Sequence, residues 1–113
     1  MPKDTSFHDY VVYDLLGDAQ GISSRTMFGG WGLYKDGVIF GIIVGTELYF
    51  KVGPENQALF EQMGSHPFQY SRSDRKKVTM AYWFVPEKVM EDREVLYSLI
   101  EKSVAIGRKK KYD

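Results

Sequence analysis

"RTMFGGWGLYKDG" (residues 25–37) sets three glycines around a tryptophan, between apolar positions on either side. Two readings compete for it: a loop that cradles phosphate, or a glycine-bent strand. A phosphate loop runs from its glycines into a helix whose amides face the anion, usually with a Lys-Ser or Lys-Thr pair. Here Gly29, Gly30 and Gly32 run into Leu33-Tyr34-Lys35 and then Asp36-Gly37. Asp-Gly is a strong two-residue hairpin signal, because both turn positions take positive φ. No lysine-hydroxyl pair follows, and no βαβ unit supports a dinucleotide fingerprint. The stretch therefore reads as a strand from Met27 to Lys35, bent or bulged at its glycines, that opens an antiparallel sheet.

The pattern continues on both sides. Val38 to Val44 is a second strand, with Val38, Phe40, Ile42 and Val44 on one face and Ile39, Gly41 and Ile43 on the other. Both faces are apolar, which marks a central strand. After a Gly45-Thr46 turn, Leu48, Phe50 and Val52 alternate with Glu47, Tyr49 and Lys51, as in a half-buried antiparallel strand. Residues 53–64 read as a short helix with Pro54 in its first turn and Gly64 at its stop. Pro67 to Ser71 is a fourth strand, at an edge because of the proline. Lys77 to Val85 is the fifth, ended by Pro86.

Upstream, residues 6–16 form a helix with Phe7, Tyr10, Val11 and Leu15 on one face, followed by a connector over residues 18–24. Downstream, residues 87–90 make one turn. Asp92 then caps a long helix from Arg93 that buries Leu96, Leu99, Ile100 and Val104. The order is α-βββ-α-ββ-α. It predicts an α+β two-layer sandwich with a mostly antiparallel five-stranded sheet, as a single domain over residues 1–113.

Composition narrows the function. The 113 residues are 43% apolar and 27% charged, a globular balance. Lys plus Arg equals Asp plus Glu at 15 each, so the chain lacks the basic excess of a dedicated nucleic-acid binder. Cysteine is absent, which removes disulfides, thiolate metal sites and cysteine nucleophiles. The N-terminus has no apolar signal region, and the longest apolar run, Val38 to Val44, is far short of a bilayer span. The expectation is a soluble, cytoplasmic protein with no membrane partner.

Catalytic and metal sites are not expected. His8 and His66 lack paired ligand spacing, and without cysteine no transition-metal motif can be assembled. There is no GxSxG elbow, and spacing alone supports no Ser-His-Asp set. Glu87, Glu91, Asp92 and Glu94 read as helix-start charges. No catalytic, cofactor or metal residue is assigned, so the chain reads as a non-enzyme. Two basic clusters offer an alternative function, nucleic-acid contact: Arg72, Arg75, Lys76 and Lys77 in the last hairpin, and Arg108, Lys109, Lys110 and Lys111 in the tail. Tyr70, Tyr82 and Trp83 lie near enough in sequence to stack on bases. Zero net charge favours a solvated loop and a dipole-matched helix end instead. A small ligand at the glycine bend is a further alternative. Trp31, Tyr34 and Tyr49 are expected to share the sheet face opposite the helices, as a surface for a protein partner. Strand edges offer a route to a homodimer.

The residues also carry a resemblance. Arg25, Met27, Phe28, Gly29, Gly30, Trp31, Gly32 and Tyr34, then Phe40, Leu48, Tyr49 and Lys51, match the pattern of the TfoX (Sxy) N-terminal domain family. "HPFQY" (66–70) and "VTMAYWFVPEKVMED" (78–92) are similar to later segments of that pattern, so nearly the whole chain is covered in order. Trp31, Gly41 and Asp92-Arg93 depart from the family's frequent Tyr, Ala and Asp-Pro. The resemblance implies a fold similar to secretion chaperones, which are protein-binding modules and often dimers. It implies a regulatory, coactivator-type role in competence for DNA transformation, with a cyclic-AMP receptor protein type regulator as partner. Full-length regulators of the family carry a further helical domain, and this chain ends at Asp113, so the expectation is a stand-alone relative.

Overall fold

The computed structural model describes residues 5–27, 29–71 and 77–112. The Asp36-Gly37 turn forms as expected: Asp36 has φ 51° and Gly37 φ 81°. Positive φ at both positions matches the right-handed twist of the strands they join, β2 (Gly30–Lys35) and β3 (Val38–Val44). A second tight turn at Gly45 leads into β4 (Glu47–Lys51).

The stretch that opened the reading is not one bent strand. β1 (Ile22–Met27) ends in it and β2 begins in it. The two pair antiparallel from Ile22 opposite Lys35 to Met27 opposite Gly30, with Gly29 at φ 78° in the connecting turn. Phe28 lies outside the described residues. The sheet therefore has six strands, not five, because the end of the supposed connector is paired. Ser23, Ser24, Arg25 and Thr26 gave no apolar alternation, since β1 is an edge strand with much of its surface in solvent. With β5 (Pro67–Ser71) and β6 (Lys77–Phe84), the order across the sheet is β1-β2-β3-β4-β6-β5, every pair antiparallel. The proline-led β5 is the other edge, as expected.

A bulge in β3 corrects the expected faces. Leu33 pairs with Gly41 and Tyr34 with Ile39, so Phe40 is the extra residue. Alternation flips there. Val38, Phe40 and Ile43 join the main core, while Ile42 and Val44 turn to the opposite face. Gly41 suits the site because a β-carbon there would stand 2.8 Å from the Tyr49 carbonyl oxygen.

The helices cover one face. α1 (Ser6–Asp9) continues as a π-helical segment (Tyr10–Leu15). α2 (Gln57–Gln62) is shorter than expected: residues 54–56 form a turn, and the buried Asn56 side chain accepts from the Gly53 amide and donates to the Lys51 carbonyl. α3 (Glu87–Met90) is one turn, and α4 (Arg93–Tyr112) is the long helix. The Asp92 side chain accepts from the Val95 amide, which is the expected cap. α4 lies across β3 and β4, with Gly107 against the Ile39 carbonyl and the Ser103 hydroxyl donating to the Lys51 carbonyl. Phe40, Phe50, Phe60, Leu96 and Val104 are fully buried between the layers. Each such side chain contributes about 1.5–3 kcal/mol of apolar burial. The two-layer α+β sandwich is the observed architecture.

Candidate functional site

Strand parity sorts the aromatic residues. Trp31 and Leu33 share one parity on β2, and Leu33 is fully buried under the helices. Trp31 therefore faces the helical layer, where its ring stacks on His8 of α1 at 3.9 Å between centroids. Gly30, Gly32 and Tyr34 point the other way. Trp31 does not share a face with Tyr34 and Tyr49, contrary to expectation. Tyr49 does lie on the face away from the helices, but it is only 4% exposed. There it packs with Ile42 and Tyr82, edge-on to Phe68 and Phe84.

Among the described residues, this second face is built from strand residues. Met27 from edge strand β1 and Phe68 from edge strand β5 line one cavity of about 140 Å3, so the sheet curls around it. Arg25 stands over the Tyr34 ring at 5.5 Å and Lys51 over the Tyr82 ring at 5.5 Å. Such cation–π pairs hold the charge beside an apolar surface. Tyr49 donates to Glu47 at 2.8 Å. Burial, then the hydrogen bond and charge of Glu47, push its phenol up from 10.0 to about 12. Burial, then the nearby Tyr34, also push Tyr82 up.

The fold also builds a hydrogen-bonded relay that spacing did not reveal. His8 is buried, with Nδ1 2.9 Å from the Asp9 carboxylate and Nε2 2.8 Å from the Ser24 hydroxyl. A carboxylate only accepts, so Nδ1–H donates to Asp9, and Nε2 shares the second hydrogen bond with the Ser24 hydroxyl. His8 and Ser24 are sixteen residues apart and meet only because β1 docks beside α1. The relay pins the first helix to the edge strand.

An open groove of about 520 Å3 runs past the β3–β4 turn. Phe7, Tyr10, Phe84 and Met90 supply its apolar wall, and Glu47, Glu87 and Glu91 its charge. Tyr10 is 41% exposed. A third depression, about 350 Å3, lies between Gln20, Lys35, Tyr97 and Glu101. Neither His8 nor Ser24 lines any of these three.

Several cations are already matched. Lys35 pairs with Glu101 at 2.9 Å, Arg93 with Asp18 at 3.3 Å and Lys109 with Glu55 at 3.4 Å. Arg108 is exposed on α4. Arg72, Arg75 and Lys76 lie outside the described residues, as do the side chains of Lys77, Lys110 and Lys111. Among the described residues no group of three or more His, Asp or Glu is placed to hold a metal ion, and no helix is long and apolar enough to cross a membrane.

Comparison with known proteins gives the same assignment as the residues of the opening stretch. The family model described as "TfoX N-terminal domain" matches residues 14–106. The chain is similar to the DNA transformation protein TfoX1 of Aliivibrio fischeri (strain ATCC 700601 / ES114), with 30% identity over 89 residues. That match takes in 76% of this chain and 41% of the relative, so the chain spans less than half the relative's length. The extent of the family match, over all six strands, α2, α3 and most of α4, establishes that the chain belongs to the TfoX N-terminal domain family.

Proposed function

We propose that this chain is a regulatory domain that takes part in the control of DNA transformation by contacting another protein, and that it catalyses no reaction. The family match over residues 14–106 carries this reading. The partner is a transcription regulator of the cyclic-AMP receptor protein type, and the chain acts on it as a coactivator. The acidic groove is the contact surface. Its exposed Tyr10 supplies apolar area with a polar tip, and Glu47, Glu87 and Glu91 select a basic partner patch. Direct DNA binding is disfavoured by the zero net charge and by the ion pairs that occupy Lys35, Arg93 and Lys109.

Affinity capture tests this with the purified chain as bait and the host's cyclic-AMP receptor type regulator as prey. The wild type retains the regulator in a salt-sensitive manner, and a Tyr10→Ala/Glu91→Lys variant loses at least tenfold of that retention while folding normally. Equal retention by both proteins would place the contact elsewhere, and no retention by either would remove the proposed partner.

A further inference from the structure

The face turned away from the helices carries a cavity whose size and rim chemistry belong together. Its volume is about 140 Å3. A dry cavity of about 150 Å3 is large enough for one benzene ring. Met27, Ile42, Phe68, Met80 and Tyr82 are half of the residues that line it. Thioether sulfurs and ring edges of this kind make favourable contacts with an aromatic guest.

Polar groups gather toward the β2–β3 turn end of this face. Met27 Sδ, a Tyr34 ring carbon and Ile39 Cδ1 converge over Gly32, where an added β-carbon would lie 3.1, 3.2 and 3.4 Å from them. Tyr34 thus borders the cavity wall, and Arg25 stands over Tyr34. Arg25 is exposed, and no carboxylate among the described residues pairs with it. Stacking on an aromatic ring leaves its planar fork free to take a carboxylate through two parallel hydrogen bonds. Tyr34 lies near enough to add to the upward shift that burial gives Tyr82. The Tyr82 hydroxyl therefore stays protonated in the neutral range and can donate. Lys51 adds positive charge beside Tyr82. The acidic residue at the far end of this face, Glu47, is held by Tyr49.

We propose that this face binds a small aromatic carboxylate, with the ring in the cavity between Met27, Ile42 and Met80 and the carboxylate on Arg25 at the rim. The site does not depend on the regulatory reading, because binding is measured on the chain alone.

Amide NMR titration with sodium benzoate, and with benzyl alcohol as an uncharged probe carrying the same ring, decides it. Benzoate shifts the amides of Met27, Ile42 and Met80 saturably, with a dissociation constant on the order of 1 mM for so small a ligand. Benzyl alcohol binds about tenfold more weakly, and Arg25→Gln brings benzoate down to the same level. Ile39→Trp, which fills the cavity, abolishes both. If that variant fails to fold, the Arg25→Gln comparison decides alone. Equal affinity for the two probes in the wild type, unchanged benzoate affinity in Arg25→Gln, shifts confined to other residues, or no saturable shift in the millimolar range would each overturn the proposal.

Discussion

A β-carbon at position 30 would collide with the carbonyl oxygen of Ile43, whereas one at position 29 would meet nothing within 4 Å. The two adjacent glycines are needed for different reasons. Gly30 permits close backbone approach between β2 and β3, and Gly29 supplies a turn at φ 78°. Gly30→Ala should cost about 1–3 kcal/mol from overpacking. Gly29→Ala should cost about 1–2 kcal/mol from left-handed strain alone. Urea unfolding of the two variants measures both, and a neutral Gly30→Ala would contradict the close approach. Tyr49 gives a pH signature at the same scale. Its phenol is raised from 10.0 to about 12, so the folded chain keeps a proton that the unfolded chain loses. The stabilisation is complete below pH 10 and is lost as pH rises toward 12. Tyr49→Phe should therefore lose less stability than the wild type across that window in urea melts. An identical pH profile would contradict the burial of Tyr49 against Glu47.

Pairing at the element scale explains what could and could not be read in advance. Asp36-Gly37 was legible because the turn chemistry is local, and the Leu48, Phe50, Val52 alternation because a single buried face writes itself at period two. β1 was hidden because an edge strand needs no apolar alternation. The bulge at Phe40 was hidden because both faces of β3 are apolar, so a one-residue flip leaves the pattern of residue types unchanged. Trp31 parts from Tyr34 because positions 31 and 34 differ in parity, so they share a face only if a bulge falls between them, and the bulge lies in β3 instead. The His8 and Ser24 contact carries no local signal at all. It makes a testable joint between α1 and β1. Ser24→Ala removes the partner of a buried imidazole nitrogen and should cost about 1–3 kcal/mol. Hydrogen exchange should show the amides of α1 and β1 opening together. A neutral substitution with unchanged exchange would mean that the Trp31 stack and the burial of Val11 and Leu15 hold the helix without this bond.

For the whole molecule, fold and family were legible while the candidate sites were not. The cavity draws on Met27 and Phe68, one from each edge of the sheet, and the acidic groove on α1, β4, β6 and α3. Both exist only after long-range pairing. Among the recesses of the described residues, one is acidic and one, on the apolar second face, is flanked by cations. The acidic recess is the surface proposed for a protein partner, and the cation-flanked recess the site proposed for a small aromatic carboxylate. Transcription of the DNA-uptake genes, measured in the host lacking this chain and complemented with it, tests the regulatory role most directly. Transcript levels should fall in the deletion, recover with the wild-type chain, and stay low with Tyr10→Ala/Glu91→Lys. Transcript levels unchanged by the deletion would contradict the regulatory role, and full recovery with the variant would contradict the contact surface.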